Sequence, residues 1–179
     1  MPFKRSKPTL DEAALYDYAI GALSRRMRTV AELKRLLRNR VARDEAGEIL
    51  VEMIILRLKE QKYLNDSNYA ATYSAFRRDN EKFGRRRVIT DLKAKGVHAD
   101  LIEKAVEQTY SGVDEEQQAR AFLKRKRLKK PASDREAARI FRALMRAGFR
   151  SGVAIGILKH WDVYDELLTS LQDENPPDE

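Results

Sequence analysis

The chain has 179 residues, with 36 Lys or Arg against 28 Asp or Glu and a formal net charge of +8. It holds no Cys, which excludes disulfides, thiol catalysis and Cys-ligated zinc. No apolar leader follows Met1 and no run approaches the ~18 apolar residues that span a bilayer, so a cytoplasmic protein without membrane contact is expected.

Charged residues make up 36% of the chain and only 8 Gly and 5 Pro punctuate it, which implies helices with much surface per unit of core. Residues 1–9 carry two prolines, three cations and no acid, and are expected to form a disordered basic arm. Thr9 and Glu12 then have capping-box spacing. Ala13, Tyr16, Ala19, Ile20 and Leu23 recur at steps of three and four, predicting an amphipathic helix over 11–27. The same reading predicts helices over 29–39 and 46–61, then 66–79, 84–95 and 98–110, then 114–128, 133–147 and 150–160. Nothing of comparable length alternates with period two, so the fold class is all-α.

These helices repeat. Residues 86–106 overlay 138–158 at a shift of 52, placing Ile89 on Phe141, Leu92 on Leu144, Gly96 on Gly148 and Val106 on Leu158. The first unit is looser. Leu33 and Leu36 match Ile89 and Leu92 at a shift of 56, and Leu50 and Ile54 match Ile102 and Val106 at 52. Arg40 then stands where the glycine should be, and Asn39 is expected to supply a left-handed residue. The predicted organisation is a basic arm (1–9), three-helix repeats at 10–62, 63–113 and 114–161, and a cap with an acidic tail (162–179). Each repeat follows a helix-turn-helix plan, and stacking three predicts an elongated, curved solenoid.

Gly96 and Gly148 read as helix-ending residues with positive φ. Asp66 reads as an N-cap, and Tyr63 and Leu64 as packing between repeats. Tyr69, Tyr73 and Phe76 share one helical face and read as core. His98 and His160 sit in different repeats without a ligand cluster, and no nucleophile–base pattern or phosphate loop appears. No metal, cofactor or catalytic residue is expected, and the protein is not expected to be an enzyme.

The charge is uneven. Residues 114–161 hold 13 basic groups against 5 acidic, and 162–179 hold none against 7. The run at 123–130 has six cations in eight residues. Arg85, Arg86 and Arg87 open a predicted helix, where they oppose its dipole, so a negative partner is expected to compensate them. With Lys34, Arg35 and Arg38, Lys93 and Lys95, and Arg142 and Arg146 on the second helices, a basic stripe is predicted. It suits phosphate backbones or an acidic protein surface, and spacing does not choose between them.

Several segments resemble the RecX regulatory family. Tyr63-Leu64-Asn65-Asp66 with Tyr69-Ala70 is similar to its Y-L-N/D-D-x-x-F/Y-A stretch. Phe83-Gly84 through Gly96-Val97 resembles its G-x-x-R-I-x-x-E-L-x-x-K-G-V stretch, with Asp91 where Glu is common. Arg146-Ala147-Gly148-Phe149 is similar to its R-R-G-F turn, and Arg28-Thr29 with Glu32-Leu33 to its R-S/T-x-x-E-L. The resemblance runs from about residue 13 to 160. It implies a monomeric, non-enzymatic modulator that binds the RecA filament on DNA. It further implies inhibition of RecA recombinase, ATPase and coprotease activities, and so a part in DNA repair, recombination and the SOS response. The residues expected to contact RecA or DNA are Lys34, Arg38, Arg85, Arg86, Arg87, Lys93, Lys95, Lys124, Arg125, Arg127, Lys130 and Arg146. The alternative is a direct DNA-binding helix-turn-helix protein; weak direct DNA binding is also compatible with the regulatory reading.

Overall fold

The computed structural model describes residues 9–173. The arm expected over 1–9 therefore lies, except for Thr9, outside the described residues, as do residues 174–179 of the acidic tail. Ten helices and no strand occur among the described residues: α1 Glu12–Arg25, α2 Val30–Arg38, α3 Glu45–Glu60, α4 Asp66–Asp79, α5 Arg85–Ala94, α6 Ala99–Tyr110, α7 Glu115–Arg125, α8 Asp134–Arg146, α9 Ser151–His160 and α10 Asp165–Asp173. The nine helices expected from spacing are all present, and α10 lies within residues 162–179. No helix among the described residues is long and apolar enough to cross a membrane.

The chain divides into two compact units, Met1–Ala70 with Leu92–Ile102, and Ala71–Asp91 with Glu103–Glu179. In the first, Leu15, Ala19, Leu33, Leu37, Val51, Ile54, Ile55, Leu58 and Leu64 form a core in which α1, α2 and α3 all pack together. In the second, Ala119 and Phe122 of α7, Ile140, Phe141 and Leu144 of α8, and Ile157 and Leu158 of α9 share a core with Leu168 and Leu171 of α10. Phe122 stacks at a tilt against Phe83 and Phe149, with centroids 6.0 and 5.9 Å away.

Burial corrects the register of the first repeat by one residue. Leu33 and Leu37 are fully buried, as are Val88 and Leu92, so α2 matches α5 at a shift of 55. Likewise Val51, Ile54, Ile55 and Leu58 match Ile102, Ala105, Val106 and Thr109 at 51. Leu36 and Leu50 only flank the core. Adjacent apolar residues at both places had left two helical faces equally apolar.

Turn chemistry also differs in detail. Gly96 and Gly148 have φ of 75° and 88° as expected. At each, the glycine N–H donates to the carbonyl of the residue three before, and the next N–H reaches back five, as Val97 to Leu92 and Phe149 to Leu144. The same turn closes α3, α7 and α9, but Lys62, Arg127 and Asp162 occupy its left-handed position. Asn39 does not: its φ is −79°, and its side-chain amide instead donates to the Arg35 carbonyl.

Two caps move by one or two residues. Asp11 caps α1 by accepting from Ala14 N at 2.9 Å, while Thr9 takes no part. Asn65 caps α4 by accepting from Asn68 N. Asp66 accepts instead from Val30 N at 2.8 Å, so it caps α2 rather than its own helix. There it joins Thr29, whose hydroxyl accepts from Glu32 N and donates to the Lys95 carbonyl. Leu64 is buried, whereas Tyr63 is 61% exposed and Phe76 53% exposed, so neither aromatic is core.

Candidate functional site

The second unit places its basic residues on helix faces and in turns whose opposite sides build the core. In α8, Ala137, Ile140, Phe141 and Leu144 are buried. Steps of four, three and four from Arg135 therefore put Arg135, Arg139, Arg142 and Arg146 on the other face, all exposed. No ion pair or side-chain hydrogen bond engages these four among the described residues. Sequence reasoning reached only Arg142 and Arg146 of this row, although the spacing of the other two was equally visible.

Most of the other expected contact residues are already committed. Lys34 pairs with Glu52 at 2.6 Å and Arg38 with Glu48 at 2.9 Å. The Glu48 carboxylate, through its hydrogen bond and charge, holds the Arg38 guanidinium above its ordinary value. Lys95 reaches Glu32 at 3.1 Å with both side chains mostly covered. Burial opposes its charge, but hydrogen bonds to Glu32 and Tyr69 more than compensate and raise its pKa. Arg125 pairs with Glu81 at 3.3 Å and Lys130 with Asp162 at 2.6 Å. Lys93, Lys124 and Arg127 are exposed and, like Arg146, have no side-chain partner among the described residues.

Two of the arginines that open α5 have negative partners within the chain. Arg85 pairs with Glu107 at 2.8 Å and Arg87 with Asp91 at 3.0 Å. For these two, the negative partner expected to compensate the cluster lies within the chain. Asp91 is a hub: its second oxygen also accepts from the Tyr73 hydroxyl at 3.0 Å and from Arg77 at 2.9 Å. Arg77 in turn lies 4.9 Å over the Phe83 ring. Burial, first of all, raises the Tyr73 phenol.

Beside this hub the backbone of Gly84 meets the turn at Gly148. Gly84 N donates to the Ala147 carbonyl at 2.9 Å. A Cβ on Gly84 would strike the Gly148 carbonyl, and one on Gly148 would strike the Arg87 backbone. A cleft of about 260 Å³ opens there, lined in part by Arg85, Arg86, Tyr110 and Arg150. Its cations are also engaged: Arg150 binds Glu115 through both its backbone and its guanidinium.

No group of three or more His, Asp or Glu able to hold a metal occurs among the described residues. His98 and His160 are both exposed. The arrangement offers charge and shape for binding.

A family model described as "RecX, second three-helix domain" matches residues 65–106. The regulatory protein RecX of Myxococcus xanthus is 34% identical over 166 residues, spanning 86% of this chain and 86% of its own length. That of Oceanobacillus iheyensis is 31% identical over 163 residues, covering 89% of this chain; the chain spans 57% of that relative's length. The crystal structure of RecX from Lactobacillus salivarius shares the fold at a TM-score of 0.65 and 21% identity, covering 86% of this chain and 97% of that one.

Proposed function

Because the chain belongs to the RecX family of regulatory proteins, we propose that it binds the RecA filament on DNA and inhibits RecA's recombinase, ATPase and coprotease activities. It acts in the cytoplasm as a monomer, without a cofactor or chemistry of its own, and so tunes repair, recombination and the SOS response. Three-helix modules over 10–62, 63–113 and 114–161 are the binding elements in this reading.

The observation that carries it, beyond family membership, is the set of uncommitted cations. Lys93, Lys124, Arg127 and Arg146 keep their charge available, and a filament of acidic protein surface and phosphates is a partner for them. Lys34, Arg38, Arg85, Arg86, Arg87, Lys95, Arg125 and Lys130 remain contact candidates that must exchange or share an existing interaction. The test is RecA ATPase on single-stranded DNA, titrated with this protein. Hydrolysis should fall, and reversing the charge of Lys93 and Arg146 together should raise the concentration needed for half inhibition. Hydrolysis unchanged at saturating protein would refute the proposal.

The arginine row of α8 favours a second reading, a helix-turn-helix protein that binds duplex DNA directly. Tight, sequence-selective duplex binding at physiological salt without RecA would favour it over the first. Weak binding that fades steeply with salt is only polyelectrolyte attraction.

A further inference from the structure

The chain has one tryptophan, Trp161. It follows α9 as the C-cap, its N–H bonded to the Leu158 carbonyl, and its ring is half-buried against the core of the second unit. The exposed part does not face open solvent alone. It lines a groove of about 440 Å³ with Leu123, Leu128, Arg120, Lys124, Arg127 and Lys129. Four cations thus surround one indole and two leucines, and no carboxylate among the described residues lines the groove.

The neighbouring acids are already occupied. Glu116 holds Arg120 at 2.8 Å and Asp162 holds Lys130 at 2.6 Å. Lys124, Arg127 and Lys129 have no side-chain partner among the described residues. Cations near the end of α7 complement its dipole, but Lys129 lies beyond that last turn. Arg127 is moreover held in the left-handed region at φ 55°, and the same turn fixes where its side chain leaves the backbone.

We propose that this groove binds a segment of single-stranded nucleic acid, one base stacked on Trp161 and the flanking phosphates held by Lys124, Arg127 and Lys129. The inference deepens the functional reading above and rests on it for the presence of DNA. An aromatic face accepts any base, and three unpaired cations around it match a flexible phosphate backbone. A duplex keeps its bases paired and stacked, so it cannot present one to the indole.

The single tryptophan makes the test direct. A dT oligomer is titrated without RecA at low salt, following both tryptophan fluorescence and the anisotropy of a dye on the DNA. Both signals should move together, with one dissociation constant. Trp161→Phe should keep that constant within about twofold. Trp161→Leu, which retains the apolar body but not the stacking face, should weaken it by at least about fivefold. Lys124→Glu with Arg127→Glu, at exposed positions, should weaken binding and flatten its salt dependence.

Anisotropy that reports binding while fluorescence stays unchanged would overturn the proposal. So would a Trp161→Leu variant that binds as the parent does, a duplex bound equally tightly with equal quenching, or no binding at low salt. Loss of RecA inhibition with oligomer binding intact would strike the functional reading instead. Full inhibition by a protein that does not bind the oligomer would strike only the groove.

Discussion

Replacing Asp91 tests how the second unit holds its cations. Three donors converge on this carboxylate, from Tyr73, Arg77 and Arg87, at 2.9 to 3.0 Å, and its side chain is 13% exposed. The Arg87 pair is the weakest, since that side chain is 43% exposed and surface pairs contribute about 0.5 kcal/mol. Arg77 is only 24% exposed, so losing its charged hydrogen bond costs about 1.5–3 kcal/mol. The Tyr73 hydroxyl adds about 1 kcal/mol. Asp91→Ala should therefore destabilise by about 3–4.5 kcal/mol, and Asp91→Asn, which keeps one acceptor oxygen, by about 2 kcal/mol. With a urea dependence of about 2–3 kcal/mol per molar, the alanine midpoint should fall by more than about 1 M when helical ellipticity is followed. Arg87→Ala should hardly move it. An Asp91→Ala midpoint within about 0.3 M of the parent would show that the hub does not stabilise the fold.

Glycine substitutions separate backbone strain from contact. Gly112 has φ 71° with open space around its Cβ position, whereas Gly148 has φ 88° and the Arg87 backbone in the way. Gly112→Ala should cost about 1 kcal/mol, Gly148→Ala at least about twice that, and equal thermal shifts would contradict the contact. Lys62→Gly should stabilise by about 0.5–1 kcal/mol, because φ of 62° is strained for any residue with a side chain; an unchanged midpoint would argue against this. Asp66→Ala should lose about 1 kcal/mol as a broken cap, while Asp66→Asn keeps the acceptor for Val30. Burial raises the Asp66 carboxyl above its ordinary 3.8. The native state thus binds that proton more readily than the unfolded chain. Its contribution is fully present below about pH 3.8 and is lost as pH rises through the raised folded value. The stability of Asp66→Asn relative to the parent should consequently improve between pH 4 and 7 in urea titrations, and a constant difference would refute the assignment.

The helix plan was legible because its signals are local. Spacing marked nine helices, and two glycines marked two of the left-handed turns. What escaped depends on distant chain. Asn65 and Asp66 are adjacent acceptors, and only the folded position of Val30 decides which one caps which helix. Leu36 and Leu37 are both leucine, so period alone could not choose the buried one. Phe76 lies on the same helical face as Tyr69, yet its ring is exposed. The presence of cations was equally legible, but their availability was not. Lys95 meets Glu32 across 63 positions of sequence, and Arg125 and Glu81 are also far apart in the chain. The setting of Trp161 is not visible in local spacing, because its cationic neighbours come from residues 120–129.

The meeting of Gly84 with Gly148 has an evolutionary corollary. At either site an added methyl would collide with main chain, which no second substitution can shrink. Drift there cannot be rescued by a compensating change opposite, as it can where side chains interlock. These two sites should therefore stay fixed in descendants of this chain.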